Sequence, residues 1–121
     1  MRYLVLRRTL RPRHEWKVSL DEHLAWMERQ HRAGNIIVSG PSADRQLGIY
    51  VIRADSREQA EKVAARDPFT VAGYCAFDLI EWDVHQILGT GPFSVAAQRV
   101  MNVGNPADPL FRAAAGSPPG S

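Results

Sequence analysis

The sequence predicts an α+β fold in which four strands and two helices follow one another in the order β-α-β-β-α-β. Short apolar stretches rich in Leu, Ile, Val and Tyr alternate along the chain with polar stretches that have helical spacing. Two capping-box patterns mark helix starts, and Gly and Pro residues separate the elements. This order is the split βαβ, or ferredoxin-like, arrangement, in which both helices cover one face of an antiparallel sheet.

Size and composition are those of a soluble globular protein. The chain has 121 residues, of which 45% are hydrophobic, and its formal net charge is +2. No long uninterrupted apolar run predicts a transmembrane helix, and the N-terminus lacks the apolar region of a signal peptide. The single cysteine, Cys75, excludes an internal disulfide framework and a cysteine-rich zinc site. We therefore expect a cytoplasmic protein with no membrane partner.

The first strand is predicted at residues 2–10 and is followed by a loop at 11–16. Five arginines lie within this region: Arg2, Arg7, Arg8, Arg11 and Arg13. Such a cluster either binds phosphate or nucleic acid, or belongs to a solvated strand and loop. Acidic residues downstream balance its charge, and no nucleic-acid-binding motif accompanies it. We therefore predict no nucleic-acid partner.

The first helix is predicted to begin at Ser19 and to end near Ala33. Ser19 and Glu22 have capping-box spacing, and Gly34 is the residue type that commonly follows a helix end. His23 is on the face of this helix that is predicted to point inward. The apolar stripe that defines this face consists of Leu20, Leu24, Met27 and His31.

A hairpin is predicted from two strands at residues 36–39 and 47–53, joined by the polar turn at 42–46. Gly40-Pro41 closes the first of these strands. Ser39 lies at this strand end, where its hydroxyl either donates to a substrate oxygen or bonds the turn.

The second helix begins with the capping-box segment 56–59 and ends at Arg66, before Pro68. Asp67 follows Ala64 by three residues and Val63 by four, so its carboxylate should point inward. A buried carboxylate needs a partner, and His23 on the other helix is the best candidate. The alternatives are a hydrogen-bonded core histidine and a helix-end aspartate that accepts from a nearby backbone N–H.

The fourth strand is predicted at residues 74–84, and the character of the chain changes at Gly89. We therefore expect a domain at residues 1–88 and a C-terminal extension at 89–121, with a short helix near 95–101 and disorder in the last part. Because both helices cover one sheet face, the other face needs a cover. A homodimer is the economical way to provide one.

Three segments resemble the YCII-related (YciI-like) family: Asp67-Pro68-Phe69 with Ala72-Gly73, the helix with His23-Leu24, and Gly34 to Ser39-Gly40-Pro41. The likeness runs from Arg2 to Val84. It implies a dimeric α+β barrel, similar more distantly to muconolactone isomerase and to a chlorinated-hydroquinone dehydrochlorinase. It also implies that His23 and Asp67 form a catalytic pair. The chain departs from the smaller members of the family in the segment after Val84.

A carboxylate that accepts from imidazole fixes the ring orientation and leaves the second ring nitrogen for general acid-base chemistry. We therefore predict a lyase or isomerase that acts without a cofactor or metal. The resemblance implies that its substrate is a small cyclic or aromatic metabolite. The predicted substrate-binding residues are Ser39, Pro41, Phe69, Trp82 and His85. Two other functions fit the same fold: a non-catalytic ligand-binding or assembly module, and a cofactor-free monooxygenase.

Overall fold

The computed structural model describes residues 1–89 and 91–103. The chain divides into two compact units, Met1–Asp83 and Val84–Ser121, whereas the predicted boundary followed residue 88. The predicted disorder at the end of the chain lies outside the described residues.

The first unit contains four strands and three α-helices in the order that the sequence predicts, with one short helix added. The sheet order is β2-β3-β1-β4, and all three neighbouring pairs are antiparallel. This is the predicted ferredoxin-like arrangement. The bounds are β1 Arg2–Thr9, α1 Lys17–Arg32, β2 Ile36–Pro41, β3 Leu47–Arg53, α2 Arg57–Ala65, α3 Pro68–Val71 and β4 Cys75–Trp82.

The core lies between the sheet and the helices. In β1, Tyr3 and Val5 are buried, and they pair with the buried Ile52 and Tyr50 of β3. Alternation along the strands places these four side chains on one sheet face. A cluster of buried helix residues packs with them: Trp26, Ala60 and Ala64. Removal of this apolar surface from water is the main force that holds the helices on the sheet.

Helix α1 begins earlier than the capping-box pattern predicts. A 3-10 helix at Arg13–Trp16 leads directly into Lys17, so Ser19 lies inside the first turn of α1 and is not its N-cap. The C-terminal end is as predicted. Gly34 has a positive φ of 77°, and Asn35 N–H donates to the carbonyl of Gln30, which is the Schellman arrangement.

The inward face of α1 is only partly the predicted one. His23 is buried, as expected, but Leu20 and Leu24 are 44% and 55% exposed. The buried positions are instead Ser19, His23 and Trp26, which follow one another at helical spacing of four and three. The predicted inward face therefore lay too far toward the solvent side of the helix, because the prediction assumed that Leu20 and Leu24 face the core.

Helix α2 begins where predicted, and Ser56 Oγ accepts from Gln59 N–H at 3.1 Å. Its last residue is Ala65, and the short helix α3 follows with Pro68 at its first position. The sequence pattern did not indicate α3. Proline ends a helix that precedes it, but it is also well suited to the first turn of a new helix. The N–H groups of a first turn have no acceptor within the helix, so proline loses no hydrogen bond there.

The sheet face away from the helices carries an apolar surface. Strand alternation places Leu4 and Leu6 of β1 on it, together with Ile80 and Trp82 of β4 and Val38 of β2. Ile80, Trp82 and Val38 are exposed. We call this surface the open sheet face. Strand β2 also has a β-bulge between Ile36 and Val38, where its register with β3 shifts.

The second unit begins at Val84 and contains the helix α4, Val95–Val103. This agrees with the short helix predicted near 95–101. Ser94 Oγ accepts from Ala97 N–H at 3.1 Å at the start of this helix. Gln98 Nε2 donates to the backbone carbonyl of His85 at 3.3 Å, so His85 is tied to α4 through its backbone.

Candidate active site

Asp67 is the centre of a buried polar cluster. The residue precedes α3 as its N-cap, and its side chain is fully buried. Oδ1 accepts from the backbone N–H of Phe69 at 3.0 Å, which is the local helix-end bond that the sequence allowed. The same oxygen also faces His23. Asp67 is therefore both a helix-end residue that accepts from a backbone N–H and the partner of His23.

His23 reaches Asp67 from α1. Its Nδ1 lies 2.7 Å from Asp67 Oδ1, and the residue is only 7% exposed. Because an ionised carboxylate only accepts hydrogen bonds, this contact assigns the ring proton to Nδ1. Nε2 is then the nitrogen left for proton transfer. The structure thus brings together the two residues that the sequence singled out.

Arg7 completes the cluster, although the sequence did not identify it as a site residue. Its Nη1 donates to Asp67 Oδ2 at 3.1 Å and lies 3.4 Å from His23 Nε2. The Arg7 side chain is 12% exposed. Alternation along β1 puts position 7 on the same face as Tyr3 and Val5, and this was the signal that could have located it.

These contacts keep Asp67 ionised. Burial by itself would raise the pKa of Asp67, but the hydrogen bond and charge of His23, the charge of Arg7 and the Phe69 N–H together lower it below its ordinary value. Burial, with the nearby Asp67 carboxylate, raises the pKa of Tyr50, so this phenol stays protonated. The cluster therefore contains one fixed negative charge beside a guanidinium and an imidazole.

Aromatic side chains pack around the His23 imidazole, and one of them is stacked on its face. The ring of Phe69 is stacked on His23, with centroids 4.1 Å apart and planes 13° from parallel. Trp16 packs on Phe69 at 5.1 Å, and the guanidinium carbon of Arg7 lies 5.1 Å from the centre of the Phe69 ring. Trp16, which lies in the segment predicted as a loop, is therefore part of the site.

A cavity of about 300 Å³ adjoins this cluster. His23, Arg7 and Phe69 form part of its wall. The predicted substrate-binding residues Ser39 and Pro41 also line it. Leu20 and Leu24 do too, so their exposed side chains border the cavity. Asp67 lies behind the wall, which suits a residue that orients the imidazole without touching a ligand.

Ser39 has a partner other than the turn. Its Oγ lies 2.7 Å from Nε2 of His31, near the C-terminal end of α1. The pair joins β2 to α1 at the edge of the cavity.

Trp82 and His85 are placed differently from the other predicted site residues. Trp82 pairs with Arg2 at the end of the β1–β4 ladder and is exposed on the open sheet face. It is not among the described residues that line the cavity. His85 belongs to the second unit. Its role in substrate binding stays a prediction.

Within residues 1–89 and 91–103, no three His, Cys, Asp or Glu side chains are grouped as a metal ion would require. None of the helices in this part of the chain has the length and apolar character needed to cross a membrane.

The comparisons with known proteins point to one family. The family model of the YCII-related domain matches residues 1–83. YjpA of Bacillus subtilis (strain 168), described as uncharacterized, is 32% identical over 60 residues, which cover 50% of this chain and 71% of YjpA.

A solved structure is similar to about two thirds of the chain. It is 5-chloro-2-hydroxyhydroquinone dehydrochlorinase (TftG) from Burkholderia phenoliruptrix AC1100, in complex with 2,5-dihydroxybenzoquinone. The TM-score is 0.59 at 25% identity, and the match covers 69% of this chain and 94% of TftG. Together with the observed strand order, this confirms the predicted ferredoxin-like fold of the dimeric α+β barrel type. The chain belongs to the YCII-related domain family.

Proposed function

We propose that this protein is an enzyme that removes a leaving group from, or isomerises, a small cyclic or aromatic metabolite. His23 is the general base and acid, and Asp67 is its positioning residue. The observation that supports this best is the 2.7 Å contact between His23 Nδ1 and Asp67 Oδ1, with His23 in a cavity wall. This geometry leaves Nε2 available for proton transfer.

The proposed elimination balances without a further reactant. Nε2 of His23 takes a proton from the substrate, the released electron pair forms a double bond, and chloride or another leaving group departs with its own bonding pair. The resulting imidazolium is stabilised by the Asp67 carboxylate. In an isomerisation, the same proton returns to a different atom of the substrate. Neither route requires a cofactor.

The size of the cavity and the similarity to TftG support a single-ring substrate. About 300 Å³ is at the lower end of the range for small-molecule sites, and the wall combines apolar side chains with a few polar groups. TftG is a dehydrochlorinase of a chlorinated hydroxyhydroquinone, and its structure is a complex with a dihydroxybenzoquinone. A hydroxylated or halogenated ring is therefore the proposed substrate class.

We also propose that the chain is a homodimer joined through the open sheet face. Ile80, Trp82 and Val38 expose apolar surface there, and burying such surface in a self-complementary contact is a common basis for two-fold dimers.

The test is a chloride-release assay with 5-chloro-2-hydroxyhydroquinone and related chlorinated hydroxyquinols. Product absorbance is followed in parallel. The parent chain should release chloride, and His23→Ala should reduce kcat by about 100-fold or more. The exposed His14 provides a control, because His14→Ala changes a histidine outside the cluster. Equal rates for the parent chain and His23→Ala would contradict the proposal. Saturable binding without turnover by the parent chain would favour a ligand-binding module.

A further inference from the structure

We infer that Arg7 binds an anionic oxygen of the ligand, and that Gly48 provides the space in which its guanidinium lies. This inference rests on the proposed function, because it takes the cavity beside His23 as the substrate site. It adds a chemical class: the ligand carries an ionised hydroxyl, enolate or carboxylate oxygen on a small ring. Neither residue was among those that the sequence predicted for the site.

The charges around the cavity favour an anion. The basic side chains in its described wall are Arg7, Arg45 and His23, the ionisable phenol of Tyr50 stays protonated, and the described wall has no carboxylate. The carboxylate of Asp67 lies behind the wall and already accepts from His23, Arg7 and the Phe69 N–H. A negative ligand group would therefore meet positive side chains without facing a competing negative one.

Arg7 has donor capacity left for a ligand. A guanidinium has five N–H groups in a planar fork. Nη1 serves both Asp67 and His23 Nε2, and Arg7 also contacts the thiol of Cys75. The side chain nevertheless lines the cavity, and its 12% exposure places the guanidinium where water is mostly excluded. Charge-assisted hydrogen bonds are stronger in such a setting than on an open surface.

Gly48 determines where the guanidinium lies. Arg7 and Gly48 are paired across β1 and β3, and both lie on the helix-facing side of the sheet. A Cβ atom at position 48 would be 2.5 Å from Arg7 Nη2 and 2.6 Å from Arg7 Cζ. Non-bonded Cβ atoms do not approach other atoms this closely, so an added Cβ would displace the guanidinium. Only a glycine at this position lets the Arg7 side chain lie flat against the strand.

The location of Arg7 also fits the proposed chemistry. Nη1 is 3.4 Å from His23 Nε2, so a proton that moves from the ligand to His23 leaves its negative charge beside Arg7. An anion formed or bound there is stabilised by the guanidinium during the step, while Asp67 stabilises the imidazolium. Arg7 would thus be a binding residue for the charge that develops on the ligand.

The test compares two anions with neutral counterparts of similar shape. The pairs are 2,5-dihydroxybenzoquinone with 2,5-dimethoxybenzoquinone, and benzoate with benzamide. Binding is measured by calorimetry and absorbance on the full chain at neutral pH. The parent chain should bind at least one anion about tenfold or more tightly than its neutral counterpart. Absence of any anion preference in both pairs would overturn the inference.

Three variants test the residues. Arg7→Met should remove the anion preference and change neutral binding less than about twofold. Because this variant also removes a partner of the buried Asp67, Arg7→Lys and Gly48→Ala provide independent tests. Gly48→Ala retains the arginine but displaces its guanidinium, so the anion preference should again fall. Val71→Ala is the control, because Val71 is exposed in α3 and is not among the residues that line the cavity.

The outcomes separate this inference from the proposed reaction. A retained anion preference in folded Arg7→Met and Gly48→Ala proteins would overturn the role of Arg7, whatever the chloride assay shows. An anion preference that depends on Arg7, combined with no His23-dependent turnover, would support the anion site and contradict the reaction. An equal loss of anion and neutral binding would show that Arg7 only maintains the structure.

Discussion

The imidazole of His23 lies almost parallel to the phenyl ring of Phe69, with 4.1 Å between centroids and 13° between planes. The backbone N–H of the same Phe69 donates to Asp67 Oδ1, the oxygen that also faces His23 Nδ1. One residue at the start of α3 therefore positions both members of the His23–Asp67 pair. The ring restricts the imidazole plane, and the amide fixes the carboxylate.

Replacing the Phe69 ring with a smaller side chain should reduce the rate of turnover more than it weakens ligand binding. Phe69→Leu removes the stacked ring but keeps an apolar side chain and the backbone N–H. We expect kcat to fall by about tenfold and the free energy of unfolding by about 1–2 kcal/mol. Steady-state kinetics and urea unfolding measure these effects. Val71→Ala, in the same short helix but 72% exposed, should change neither. An unchanged kcat in Phe69→Leu would mean that the ring does not position His23.

Asp67 should make stability depend on pH in the acidic range. Its pKa is lowered in the folded chain, while the unfolded chain has the ordinary aspartate value of about 3.9. Between these two values the unfolded state binds more protons, so the free energy of unfolding falls as the pH falls. Above about pH 5 the contribution is complete and constant.

Urea unfolding between pH 2 and pH 7 measures this dependence. Asp67→Asn should lower stability by roughly 3 kcal/mol at neutral pH, because Arg7 loses its partner. The difference between parent and variant should shrink on acidification. Asp21→Asn, at an exposed position of α1, is the control. A difference that stays constant from pH 7 to pH 2 would show that the Asp67 charge does not contribute.

Variants of Ser39 and His31 test whether the Ser39 hydroxyl binds the ligand or only links β2 to α1. Ser39→Ala removes an oxygen from the cavity wall as well as the contact with His31, whereas His31→Ala removes the contact alone. If Ser39 binds ligand, KM should rise by roughly threefold to tenfold in Ser39→Ala and stay near the parental value in His31→Ala. Equal KM values in the two variants would leave Ser39 with a structural role.

The open sheet face should determine the oligomeric state. Ile80→Lys places a charge among apolar side chains that a dimer would bury, and an unpaired buried charge is costly. Light scattering should give a dimer for the parent chain and a monomer for the variant. Val71→Lys is the control, because Val71 is exposed in α3 and not on the sheet. A monomeric parent chain would contradict the proposed dimer.

The order of strands and helices could be predicted because each element has a strong local signal. Strand β3 has the predicted bounds, and Ser56 caps α2 as its spacing indicates. The encounter of His23 with Asp67 was also within reach of sequence reasoning. Helical spacing turns both residues inward, and a buried carboxylate needs a partner.

The remaining features depend on contacts that local patterns do not encode. The inward face of α1 was misjudged because Leu20 and Leu24 border a cavity, and apolar cavity walls look like core residues in a sequence. Arg7 was grouped with four other arginines as a basic cluster. Its inward position follows from strand alternation, but its partner Asp67 is 60 residues away in the chain.

The β-bulge in β2 has a consequence for which residues can meet a ligand. Ile36 pairs with Ile52, and after the extra residue Val38 pairs with Val51 and Ser39 with Tyr50. Since side chains alternate between faces, one inserted residue exchanges the faces of everything beyond it. If Ile37 paired regularly with Val51, Val38 would pair with Tyr50 and face the helices, whereas Ser39 would pair with Ile49 and point away from them. The bulge therefore places a hydroxyl, and not the Val38 side chain, at the border of the cavity.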